Sequence, residues 1–154
     1  MVQVLPQCAG VVAVCLALAG PLARPALGWE AGVEGGLCTL GHEDASGDVR
    51  LTFDPAVPHY TITLTTPDPW PVAPSFAMVF DGPRPNIIRT DRHVLSPDRR
   101  ALSVTDRGFG NVLDGLQFNG TATGISGPAA VTLSLEGAAP EVAAFRACTT
   151  APTA

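Results

Sequence analysis

The sequence predicts an all-β protein: an antiparallel β-sandwich of about seven strands with a short C-terminal helix tied to the body by a disulfide. Three observations lead there. Beyond Cys38 the chain breaks into short segments in which apolar and polar residues alternate, separated by Gly, Pro, Asp and Asn. Helical spacing emerges only near the C-terminus, where Val142, Phe145 and Cys148 recur every third residue. Two cysteines, Cys38 and Cys148, bracket nearly everything between.

Taken in order, Val49, Leu51 and Phe53 alternate with Arg50 and Thr52, which assigns one side of that strand to a core and the other to water. Tyr60, Ile62 and Leu64 alternate in the same way with Thr61, Thr63 and Thr65, whose branched side chains suit the outer face of a pleated strand. Pro67, Pro69, Pro71 and Pro74 then interrupt any ladder around Trp70, because proline has no backbone N–H to donate. Phe76 to Phe80 resumes the alternation and ends at Asp81-Gly82-Pro83.

Ile87 to Leu95 is expected to pair with Ala101 to Thr105 through the turn Ser96-Pro97-Asp98-Arg99, where proline's fixed φ suits the second position and the serine hydroxyl can bond the backbone. Leu113 to Ala122 and Ala130 to Leu135 supply the remaining strands. Pro140 and Glu141 begin the terminal helix, with proline in the first turn and an acid near the positive end of the dipole. That helix should lay Val142 and Phe145 on the sandwich and carry Cys148 to Cys38. Closing a loop of about 110 residues in this way is worth roughly 4 to 5 kcal/mol by chain-entropy arithmetic.

The apolar run Val11 to Ala19, broken by Gly20 and Pro21, is about signal-peptide length and far short of the ~20 residues a membrane span needs. Residues 1–28 are therefore expected to be a signal peptide, cleaved before Trp29, with 29–154 forming a single β-sandwich domain. Cys8 and Cys15 leave with the leader, and the remaining pair is expected to oxidise in the periplasm or outside the cell. Every basic residue is arginine and the formal net charge is −5, a composition typical of high-G+C bacteria and without the basic footprint of a nucleic-acid partner.

The chemistry-bearing residues form no motif. His42, His59 and His93 are scattered, with no second ligand at metal spacing, so no metal is expected. There is no Gly-x-Ser-x-Gly elbow and no phosphate-binding loop, and no other catalytic residue or cofactor is assigned. Asn119-Gly120-Thr121 matches a glycosylation acceptor, or else forms a turn after Phe118. The most unusual local composition is Asp106-Arg107-Gly108-Phe109-Gly110-Asn111. Such a loop either offers Arg107 and Phe109 to a partner or uses Phe109 to plug one end of the sandwich. Trp70 poses the same choice, so Trp70, Arg107 and Phe109 are the candidate partner-binding residues.

The tail, Val131-Thr132-Leu133-Ser134-Leu135 followed by Gly137-Ala138-Ala139, a short helix and Phe145-Arg146-Ala147-Cys148, resembles small exported proteins of alphaproteobacteria. It is also similar to the invasion-associated locus B proteins, whose chains likewise end in a strand, a Gly-containing turn and an Ala-rich helix. No catalytic residues come with the resemblance.

The functional expectation is an exported, non-catalytic binding or envelope-accessory protein, periplasmic or secreted. It would need no cofactor, take an envelope protein, lipid or glycan as partner, bind no nucleic acid and keep no membrane anchor after cleavage. Two alternatives are a small hydrolase using His59 or His93 with nearby carboxylates, and a protease inhibitor presenting the proline-rich loop around Trp70.

Overall fold

The structure is a computed structural model that describes residues 28–152; residues 1–27 of the expected leader, Cys8 and Cys15 among them, lie outside the described residues. It is mostly β, with two antiparallel sheets and two helices. The strands are β1 (Glu30–Glu34), β2 (Leu37–Asp44), β3 (Gly47–Asp54), β4 (His59–Thr65), β5 (Phe76–Asp81), β6 (Asn86–Thr90), β7 (Val94–Leu95), β8 (Ala101–Asp106), β9 (Thr121–Ser126) and β10 (Ala129–Ser134). Helix α1 spans Gly110–Phe118 and α2 spans Ala138–Thr149. The first sheet runs β1-β2-β3-β4-β8-β7 and the second β10-β9-β5-β6.

Register shows why the alternating segments fold as they do. Leu40, Leu51, Ile62 and Val104 are partners across four neighbouring strands, and Val49, Leu64, Leu102 and Leu95 form the adjacent row. A slip of one residue would turn every one of them to water. On the opposite face the polar partners bond one another: the hydroxyls of Thr61 and Thr105 lie 2.9 Å apart, as do those of Thr63 and Ser103. The second sheet answers with Phe76, Met78 and Phe80 of β5, flanked by Ser126, Gly124 and Ala122 of β9 and by Thr90, Ile88 and Asn86 of β6. The core lies between these two faces.

Two strands precede the segments the alternation picked out. Gly35 and Gly36, at φ 56° and 85°, make the two-residue turn between β1 and β2, a left-handed pair that residues with a Cβ adopt at a cost. Leu113 to Ala122 is corrected from a strand: α1 occupies it through Phe118 and β9 begins only at Thr121. The burial of Val112, Leu113 and Leu116 follows helical spacing, and Gly115 lets the helix lie directly on Phe80. Ile87 to Leu95 is likewise not one strand. β6 pairs with β5 in the second sheet, the chain crosses over, and only Val94 and Leu95 pair with β8 in the first. The turn between β7 and β8 forms as expected, with the Arg99 N–H donating to the Ser96 carbonyl at 2.8 Å and the Ala101 N–H to the Ser96 hydroxyl at 3.0 Å.

The two helices pack together across one end of the sandwich, α2 against β1 and β2, α1 against β6 and β9. Val142 and Phe145 are buried and Cys148 is bonded to Cys38, as the helical spacing predicts. Two hydrogen bonds hold the start of the described chain in place: the Ala31 N–H donates to Glu141 Oε2 at 2.8 Å, and Trp29 Nε1 donates to the Ser134 carbonyl at 2.9 Å. No helix among the described residues is long and apolar enough to cross a membrane. The Cys38–Cys148 disulfide points to an oxidising compartment.

A candidate binding pocket between the sheets

A sandwich whose sheets are not bonded to each other along their sides must close those sides with side chains or stay open. Here the side between β6 and β8 stays open. β7 is two residues long, and Asp91, Arg92 and His93 are all that connect it to β6, so little of the first sheet stands opposite β6. The opening is a cavity of about 420 Å³, within the ~300–1,000 Å³ usual for small-molecule sites.

Its floor comes from both inner faces: Ile62 and Val104 from the first sheet, Phe76, Met78 and Ile88 from the second. Phe109 and Val112 close the end nearest the helices. Its polar lining comes from Arg89, Thr90, Arg92, Asp106 and Asn111, none of which is buried. Asp106 continues the inward-facing register of Leu102 and Val104, so the strand's last residue puts a carboxylate at the cavity edge. That carboxylate accepts from Arg92 at 2.5 Å and from the Arg107 backbone N–H at 2.6 Å. The Arg107 N–H first, and then the Arg92 guanidinium, hold the Asp106 carboxyl below the usual aspartate range.

The loop with the unusual composition is thus part of the wall. Asp106, Gly108, Phe109, Gly110 and Asn111 line the pocket, while Arg107 faces a second groove across the loop together with Tyr60 and Arg146. Phe109 is buried and stacks on Tyr60 with ring centroids 5.4 Å apart. Trp70 is 1% exposed, its Nε1 donates to the Leu64 carbonyl at 3.3 Å, and its ring meets Phe76 edge-on. Of the three residues singled out for partner binding, only Arg107 stays on the surface. Trp70 and Phe109 are buried, Phe109 as a wall of this pocket and Trp70 beside the proline-rich loop.

The histidines do not assemble a catalytic site among the described residues. His42 stacks on Trp29, ring centroids 5.0 Å apart and planes 9° from parallel, and its Nε2 lies 3.4 Å from Asp44 on the same strand. His93 packs near Phe76. Neither His59 nor His93 has a carboxylate or serine within hydrogen-bond reach among the described residues, and no group of His, Cys, Asp and Glu there could hold a metal. The glycosylation-type asparagine is fully engaged: Asn119 Nδ2 donates to the carbonyls of Arg84 and Gly115 at 2.7 and 3.0 Å, and its Oδ1 accepts from the Arg84 N–H at 2.9 Å.

A larger hollow of about 590 Å³ lies beside the proline-rich loop, but small residues such as Ala45, Ser46 and Ala130 line it and Asp68 is its one charged residue. It lacks the apolar depth of the inter-sheet pocket. No family model, no curated protein and no solved structure matches the chain.

Proposed function

We propose that this chain is an exported, non-catalytic binding module, acting in the periplasm or outside the cell, and that it holds an envelope component in the pocket between β6 and β8. The observation that carries the reading is the pocket's lining: apolar side chains drawn from both sheets, with polar lining residues none of which is buried. A floor of Ile62, Met78, Ile88 and Val104 has nothing with which to move a proton or attack a bond, but it can remove hydrocarbon from water. Among the envelope partners expected from the sequence, this favours a lipid-derived molecule over a glycan, since sugar hydroxyls would lose hydration on such a floor without gaining partners.

The disulfide, together with the leader expected from the sequence, supports the compartment. A protein whose terminal helix is stapled to its second strand gains most where the staple persists. The test is methyl NMR on the oxidised protein during titration with lipid and glycan fractions of bacterial envelopes. Shifts centred on Met78, Ile88 and Val104 are expected with the lipid fraction. Robust turnover of any substrate, or shifts confined to the Trp70 loop, would overturn the reading.

A further inference from the structure

We propose that the pocket takes a single-chain amphiphile whose head is uncharged and donates a hydrogen bond, a medium-chain alcohol being the simplest example, and that Asp106 enforces the choice of head; this rests on the pocket being the binding site. Strand register decides which polar side chains face the cavity. Arg89 is paired with Ala77 and belongs to the outer face of the second sheet, whereas Thr90 is paired with Phe76 and shares the inner face with Ile88. On the first sheet Asp106 follows Leu102 and Val104 on the inner face. The strands on the two sides of the opening, β6 and β8, therefore turn one hydroxyl and one carboxylate into its lining.

That carboxylate is ionised at neutral pH, because the Arg107 N–H first, and then the Arg92 guanidinium, hold it below the usual aspartate range. Arg92 reaches Asp106 from the crossover, where its own N–H donates to Thr90 Oγ1 at 3.1 Å. The two charges offset each other. A carboxylate head would compete with Asp106 for Arg92, and an ammonium head with Arg92 for Asp106; each exchanges one ion pair for another and gives up hydration of its own. A hydroxyl needs no exchange. Asp106 accepts one bond at each oxygen, and an ionised carboxylate has lone pairs for further donors.

Size sets the rest of the ligand. Ile62, Met78, Ile88 and Val104 demand hydrocarbon. A methylene needs about the room of one water molecule, roughly 30 Å³, so the cavity of about 420 Å³ holds one chain of about ten carbons together with its head. The paired acyl chains of an intact diacyl lipid need more room than that. Within this length each methylene removed from water strengthens binding about fourfold.

The experiment is calorimetric and methyl-NMR titration of the oxidised protein with octanol, octanoate and octyltrimethylammonium, and with hexanol as the short-chain comparison. Octanol should bind about threefold or more tighter than either charged compound, and about tenfold or more tighter than hexanol. Two variants test the ion pair with opposite signs. Asp106→Asn leaves Arg92 without its partner and should strengthen octanoate about threefold or more, and Arg92→Gln leaves Asp106 alone and should do the same for octyltrimethylammonium. A merely structural role for the pair would weaken all four compounds alike. If octanoate or the ammonium binds the original protein as tightly as octanol, with shifts at Met78 and Ile88, the inference about the head fails and the pocket stands. Variants that leave the order of the two charged compounds unchanged count against it equally. If none of the four compounds perturbs those methyls in the original protein, both the inference and the reading beneath it fail.

Discussion

Replacing Cys38 and Cys148 together by alanine should cost a large share of the protein's stability. The bond joins residues 110 apart in sequence, and a closed loop of that length withholds about 16 cal/mol/K of chain entropy from the unfolded state, or about 4.8 kcal/mol at room temperature. A domain of this size is typically stable by about 5–15 kcal/mol, so the loss removes between a third and nearly all of it. The effect should also be uneven. Without the bond, α2 is held by Val142, Phe145 and the Glu141 contact to β1, so its amides should exchange sooner than those of β3 and β4 in the middle of the first sheet. Urea denaturation of the oxidised protein, the reduced protein and the double alanine variant measures the first effect, and hydrogen exchange the second. Agreement between the reduced protein and the variant separates the missing bond from the missing sulfur atoms. If both lose less than about 1 kcal/mol, the loop-entropy reasoning is wrong for this chain.

Glycine substitutions should separate positions that need glycine from positions that do not. A Cβ at Gly115 would lie 2.6 Å or less from three carbons of the buried Phe80 ring. Gly115→Ala should therefore destabilise by about 1 to 2 kcal/mol, overpacking outweighing the gain of about 1 kcal/mol in helix propensity. Gly108 and Gly110 have negative φ and open space around them, so Ala at either should stabilise by about 0.4–1 kcal/mol in thermal or urea unfolding. Glu43 and Asp48 are directly opposed in β2 and β3, and burial, then the Glu43 charge, raises the Asp48 carboxyl above its ordinary range. Glu43→Lys should stabilise by a few tenths of a kcal/mol at low salt and by less at high salt, and a destabilised variant would contradict the pairing. Asp106 has the opposite sign: its folded pKa is lowered, so its contribution is present above the unfolded value of 3.8 and is lost as pH falls through the folded pKa. The stability gap between the original protein and Asp106→Asn should hold at neutral pH and close below about pH 4; a gap that persists into strong acid would show that the carboxylate's charge is not its source.

The sandwich was legible where burial alternates. β3 and β4 bury every second residue, and β5 puts its large side chains Phe76, Met78 and Phe80 on one face with only the small Ala77 buried between them, so period two leaves its mark on the sequence. β2 carries no such mark because Cys38, Thr39 and Leu40 are buried consecutively, and β1 is largely exposed. The Gly35-Gly36 pair between them was the signal that could have found both. α1 was obscured by its glycines. Gly110 and Gly115 lower helix propensity, yet Val112, Leu113 and Leu116 carry the helical spacing, and the close approach to Phe80 decides in its favour.

Less of the site was legible. The pocket draws Ile62, Met78, Ile88, Val104 and Val112 from five separate elements. Its emptiness comes from what β7 does not cover, and no local pattern encodes an absence on a neighbouring strand. Only the Asp106–Asn111 loop announced itself, through its composition, and it proved to be a wall of the cavity with Phe109 turned into the core.

The most direct test is mass spectrometry under non-denaturing conditions on the oxidised protein recovered from its native host, beside an Ile88→Trp variant whose added ring fills the cavity. The original protein should carry a small amphiphilic molecule and the variant should come through bare. The same added mass on both, or a ligand found crystallographically beside the Trp70 loop, would contradict the assignment of function to the space between the sheets.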